Sequence, residues 1–161
     1  MLTGTSVGVP DPSELIATAR LLLGAPGSAA PTQAQLRRAA STAYYAVFHK
    51  VLRAAAERFA GLGQEHSGAY AILYRSFDHG HMKQMCEALL KSTLPDALKW
   101  RLRRDAVSQE TRDFAGSFPA LQEIRHLADY DPTIVFLASD VSAACRLGRG
   151  GDRSIHPHPF E

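Results

Sequence analysis

The sequence predicts an all-α fold: an up-and-down helical bundle of about five helices around a long central helix. Apolar residues recur at helical spacing through most of the chain, and no run alternates with the two-residue period of a strand. Helix start and stop signals punctuate the sequence, and no repeat of roughly 20 to 50 residues interrupts the pattern.

Met1 to Pro10 lacks periodicity and reads as a flexible N-terminal tail, leaving residues 11–147 as the helical domain. Asp11-Pro12-Ser13-Glu14 opens the first helix with an N-cap oxygen, proline in the first turn and early negative charge. This helix runs to about Leu23 and stops at Gly24, and a Gly/Pro/Ser/Ala connector follows to Pro31. Thr32 and Gln35 form a capping-box pair for the second helix, which reaches about Ala60 before Gly61 and Gly63. At 1.5 Å per residue that helix is about 42 Å long. Placed at 100° intervals, Ser41, Tyr45, Phe48, Leu52 and Phe59 form one apolar arc; Leu36, Ala40, Tyr44, Val47 and Val51 form another. Only Lys50, Arg53 and Glu57 make a charged strip between them, so this helix needs neighbours on several sides.

A short helix from Gly68 to Phe77 is followed by a turn at Asp78-His79-Gly80, then a helix from His81 to Lys91 carrying Met82, Met85, Cys86, Leu89 and Leu90. Pro95 to Phe114 is less regular, with charge gathered around Trp100-Arg101-Leu102-Arg103-Arg104. Ala120 to Tyr130 reads as a helix with Leu121, Ile124, Leu127 and Ala128 inward. Asp131-Pro132 opens the last helix, with Ile134, Leu137, Val141 and Cys145 as its stripe; residues 148–161 form a Gly/Pro/His tail expected to be flexible.

Composition is that of a globular chain, 45% hydrophobic and 21% charged. No stretch approaches the roughly 18 to 20 apolar residues of a membrane span, and Met1 to Pro10 has no signal-peptide pattern. The expectation is a soluble cytoplasmic protein without membrane partners. Cys86 and Cys145 then read as small buried apolar residues rather than a disulfide. The net charge of +2 is too small to argue nucleic-acid binding by itself, and fourteen arginines against four lysines fit a GC-rich coding bias.

The stretch that carries chemistry is Ala120 to Tyr130. Opposite its apolar stripe, Gln122, Arg125, His126, Asp129 and Tyr130 spread over an arc of about 140°. Arg125 with Asp129, and His126 with Tyr130, are i,i+4 neighbours that can touch. An arginine fork beside an imidazole and a phenol suits phosphate handling. The same residues equally suit an intrahelical ion pair and a packed tyrosine ring. On the central helix, Arg38, Tyr45 and His49 lie within about 40° of one another and could converge with Arg125 and Asp129 on a polar pocket. Arg38 could instead simply pair with Asp129. His79, His81, Cys86 and His66 match no zinc spacing, so no metal is expected; no Walker loop or dinucleotide fingerprint is present, and no cofactor is expected. Arg101, Arg103 and Arg104 beside Trp100 could meet RNA phosphates or form a solvated face.

Leu-Arg-Arg-Ala-Ala-Ser-Thr-Ala-Tyr-Tyr-Ala-Val-Phe-His (Leu36 to His49), followed downstream by Leu-Gln-Glu-Ile-Arg-His-Leu-Ala-Asp-Tyr-Asp-Pro (Leu121 to Pro132), resembles the HEPN superfamily, particularly its small bacterial members. The resemblance spans roughly Leu36 to Leu147. It implies a five-helix bundle that pairs as a homodimer. It also implies association with RNA, with nucleotides, or with a small nucleotidyltransferase antitoxin in a toxin–antitoxin operon. RNA-cleaving members of the family work without metal through an arginine, a polar residue, three further residues and a histidine. Arg125 matches the arginine, His126 the polar position, and Tyr130 stands where the histidine would be. On that resemblance Arg125, His126 and Tyr130 are the candidate catalytic residues of a metal-independent endoribonuclease; Arg38, Tyr45, His49 and Asp129, from their helical spacing, are the candidate binding residues. A phenol with an ordinary pKa near 10 is a poor base at neutral pH, which favours the alternative of a non-catalytic helical dimerisation module.

Overall fold

The computed structural model describes residues 8–25 and 27–147. The expected C-terminal tail, with His156 and His158, lies outside the described residues, as do residues 1–7 of the N-terminal one. The described fold is all-α, with seven helices: α1 (Pro12–Leu23), α2 (Gln33–Ala60), α3 (Gly68–Ser76), α4 (His79–Leu89), α5 (Asp96–Leu102), α6 (Gln109–Tyr130) and α7 (Ala138–Leu147). Short α3 falls where a helix is expected from Gly68 to Phe77, and α5 adds a helix in the stretch that reads as less regular. Among the described residues, no helix is long and apolar enough to cross a membrane.

Helix α2 is the hub, packing against α1, α3, α6 and α7. Its first half is buried around nearly the whole circumference, from Leu36 through Ala39, Ala40, Ala43 and Tyr44 to Phe48. Alanine at so many of these positions lets the neighbouring helices approach closely, and Tyr44 fills the centre with Phe118 of α6 at 5.6 Å between ring centroids. The second half opens to solvent: Phe59, placed by its spacing on an apolar arc, is 73% exposed because the bundle has ended there. The start of α2 is the expected capping box, in which Thr32 accepts from the Gln35 amide and Gln35 from the Thr32 amide. Asp11 caps α1 through Ser13, and Gly24, at a positive φ of 82°, ends it.

Three boundaries differ from the sequence reading. Asp78 caps α4, so His79 and Gly80 lie inside the helix rather than in a turn. Helix α6 begins at Gln109 and runs through Pro119. An interior proline costs about 3 kcal/mol, but Ala115, Phe118 and Leu121 are fully buried on either side of it. Burying one large apolar side chain contributes about 1.5 to 3 kcal/mol, so packing outweighs the break.

The last helix starts at Ala138, not Pro132. Asp131 accepts from the backbone and hydroxyl of Thr133, closing a turn instead of capping a helix. Ile134 and Leu137 therefore precede α7, while Val141 and Cys145 form its buried face as expected. Both cysteines are buried, and no disulfide joins them.

Candidate functional site

Helix α6 runs antiparallel to α2, since Arg125 meets Tyr45 while Asp129, one turn later, meets Ser41, one turn earlier. This alignment brings together most of the residues singled out from sequence. The Arg125 Nη2 donates to the Tyr45 hydroxyl at 3.0 Å. Its Nε lies 2.9 Å from Asp129 Oδ2, yet Nε finds no properly directed acceptor. The contact is therefore a charge pair rather than an aligned hydrogen bond. Asp129 Oδ2 also accepts weakly from the buried Ser41 hydroxyl at 3.4 Å. The guanidinium lies 5.6 Å from the Tyr45 ring centre and 5.5 Å from that of Tyr130.

Burial works against the charge on Arg125, but the Tyr45 hydroxyl and Asp129 more than offset it, and its pKa lies above the ordinary arginine value. The result is a permanently charged fork held in one orientation by two aromatic rings and a carboxylate. Nη1 has no hydrogen-bond partner among the described residues.

Tyr130 and His126 flank this fork on the outside. Their rings are 5.1 Å apart, and Tyr130 is 64% exposed. Tyr130 thus borders the site from solvent instead of entering the core. His49 joins through Tyr45, its ring stacked at 6.2 Å. Arg38 does not join: it is exposed, its guanidinium makes no hydrogen bond or ion pair among the described residues, and Asp129 pairs with Arg125 instead.

Four participants escaped the sequence reading. The neighbour of Arg38, Arg37, reaches the end of α6, donating to the carbonyls of Leu127 (3.3 Å), Ala128 (3.1 Å), Asp131 (2.8 Å) and Ile134 (2.5 Å). The Leu127 carbonyl also takes the Asp131 amide; the others belong to the helix C-terminus and its exit loop, where a cation is favourable. Gln33 completes the anchor, exchanging two hydrogen bonds of 2.9 Å with the Phe136 backbone.

His79 and Tyr74 complete two histidine–tyrosine pairs beside the arginine. Tyr44 and His79 Nδ1 share a hydrogen bond at 2.6 Å, and so do His49 Nδ1 and Tyr74. Burial, then the nearby His79, lowers the His49 pKa; burial, then Arg125, lowers that of His79. Burial also pushes the Tyr74 hydroxyl up to about 12. Nothing in local spacing announces these pairs, because each joins α2 to a different helix.

The weaker candidates lie elsewhere. His81 pairs with Asp78 at 2.7 Å, and no group of three metal-ligating side chains comes together among the described residues. Trp100 is 71% exposed with Arg103 above its ring at 5.8 Å, so the basic cluster of α5 is a surface feature.

The arrangement can hold an oxyanion at Arg125 between two aromatic faces. It places no imidazole in a hydrogen bond with the guanidinium or with the Tyr130 hydroxyl. No family model, curated protein or solved structure matches the chain.

Proposed function

We propose that this chain is a HEPN-like protein that engages RNA or nucleotide phosphate through Arg125, acting as a homodimer. The observation that carries the reading is the Arg125 fork, clamped by Tyr45 and Asp129 with Nη1 left over. A prepositioned guanidinium loses little freedom on binding phosphate, and charge-assisted bonds to it are the strong ones. Tyr130 at the rim offers a face for a base, as aromatic side chains do for single-stranded RNA. Exposed Val135 and Leu137 in the loop that follows provide apolar surface for a second copy. In the toxin–antitoxin version of this reading, the partner is a small nucleotidyltransferase, and a metal-independent ribonuclease site uses Arg125, with His126 and Tyr130 as proton carriers.

Two observations favour the non-catalytic alternative, a helical interaction module. Asp129 already neutralises Arg125, and the position of the family's histidine is a tyrosine. The two readings separate in one experiment with purified protein and its Arg125→Ala variant. Affinity for a labelled single-stranded RNA should fall by about tenfold or more in the variant, the worth of one charge-assisted contact. Unchanged affinity refutes phosphate engagement at this site. Gel analysis of total RNA then decides the chemistry: cleavage that vanishes with Arg125 establishes the ribonuclease, and intact RNA in both samples leaves binding alone.

A further inference from the structure

A groove of about 540 Å³ lies between α1 and α2, on the part of the molecule bearing Lys50. Lys50 stands about 140° around α2 from Tyr45, taking 100° per residue, so this groove is separate from the Arg125 site. Its apolar lining is Ile16 and Ala17 of α1 and Ala54 of α2, and three cations, Arg20, Lys50 and Arg53, line it as well.

Two acids, Asp11 and Glu57, line the groove as well, and both are already committed. Glu57 pairs with Arg53 at 2.8 Å, and Glu65 approaches the same guanidinium at 3.9 Å. Asp11 caps α1 by accepting from the Ser13 backbone and hydroxyl. Arg20 and Lys50 have no carboxylate partner among the described residues, and Arg20 Nη2 is buried without any hydrogen-bond acceptor. A guanidinium with one nitrogen unpaired and no carboxylate partner carries an uncompensated charge, the more so beside like charges. Volume, apolar lining and convergent cations together describe a small-ligand site.

We propose that the groove between α1 and α2 binds a small phosphate monoester. Its phosphoryl oxygens lie between Arg20 and Lys50, and its apolar body rests on Ile16, Ala17 and Ala54. Phosphate suits the pair because arginine offers a fork and lysine a point charge. The apolar lining adds affinity that a bare ion cannot collect.

The test is an amide-resonance titration of the full chain with phenyl phosphate and with inorganic phosphate. Saturable shifts should centre on Ala17, Arg20, Lys50 and Ala54, with phenyl phosphate the tighter ligand. The Arg20→Gln, Lys50→Gln double variant should lose about tenfold or more in affinity, while Arg20→Lys with Lys50→Arg retains most of it. Ala54 is exposed, so Ala54→Asp puts an acid into the groove without disturbing the core and should abolish binding even if the double variant folds poorly. Equal affinity for the two probes, shifts scattered over the surface, or undiminished binding by Ala54→Asp each overturns the proposal.

Discussion

Adjacent arginines on α2 differ sharply in what they hold, and replacing each by alanine turns that difference into a measurement. Arg37 donates four hydrogen bonds to carbonyls at the end of α6 and in the loop that follows, the two shortest at 2.8 and 2.5 Å. It also lies 5.4 Å from the Phe136 ring centre. Arg38 is exposed, and its guanidinium has no such partner. A hydrogen bond from a charged donor contributes about 1.5 to 3 kcal/mol. Counting only the two short bonds, and discounting because water can reach part of this site, gives about 2 to 4 kcal/mol for Arg37→Ala. Arg38→Ala, a surface change, should stay within about 0.5 kcal/mol. For a chain of this size, about 3 kcal/mol is a Tm decrease of roughly 6 to 12 °C. Urea and thermal unfolding followed by circular dichroism read both variants. Arg37→Lys should recover only part of the loss, since an ammonium cannot span four carbonyls. Equal losses for Arg37→Ala and Arg38→Ala, or less than about 1 kcal/mol for Arg37→Ala, would refute the claim that this side chain secures the end of α6.

Two further outcomes follow from titratable groups that packing shields from water. His49 and His79 have folded-state pKa values below the roughly 6.5 of an unfolded histidine. The unfolded chain therefore binds more protons, and stability is complete above about pH 6.5, declines as pH falls through that value, and levels off below the folded values. The urea midpoint should drop between about pH 7.5 and 5.5 and fall less in His79→Gln; a midpoint that rises on acidification contradicts the assignment. Burial holds the Cys86 thiol at about 11, and Cys145 is buried too. Neither should react with a disulfide reagent in the native chain near pH 8, and both should react in urea; fast native labelling would show that α4 or α7 opens readily.

Much of this fold was legible because its signals are local. Asp11 with Pro12, and Thr32 with Gln35, mark helix starts through atoms only two or three residues apart. Gly24 and Gly61 end helices at positive φ, where a side chain would be strained. The errors fall where tertiary contacts override such signals. Pro119 stays helical because Phe118 and Leu121 are buried on the same helix. The segment after Asp131 stays out of a helix because backbone polar groups there are claimed by Arg37 and Gln33, about a hundred residues away in sequence. In the candidate site, the approach of Arg125, Asp129 and Tyr45 is legible from helical spacing. Arg37 was passed over for Arg38 because angular position alone does not say which of two adjacent arginines reaches a partner.

A four-residue step along α2 accounts for both the anchor and the site. Gln33, Arg37, Ser41, Tyr45, His49 and Arg53 each bond a side chain or backbone atom, in turn those of Phe136, the α6 C-terminus, Asp129, Arg125, Tyr74 and Glu57. Each step of four advances about 40° around the helix, taking 100° per residue, so the series winds through roughly 200° from Gln33 to Arg53. That rotation carries the polar contacts from the α6 and α7 side of α2 to the α3 side without crossing the alanine-rich surface. Arg38 shares the angle of Tyr45 and His49 but stands two to three turns before them along the helix, where it is exposed and reaches none of their partners. Arg125 meets the series at its middle, where a tyrosine hydroxyl replaces the amide, guanidinium and serine of the earlier turns. A phenol there both accepts from the guanidinium and lends it a ring face, which none of the earlier side chains does. The position that fixes the proposed phosphate fork is therefore Tyr45, and the anchor three and two turns before it is what keeps α6 in register to meet it.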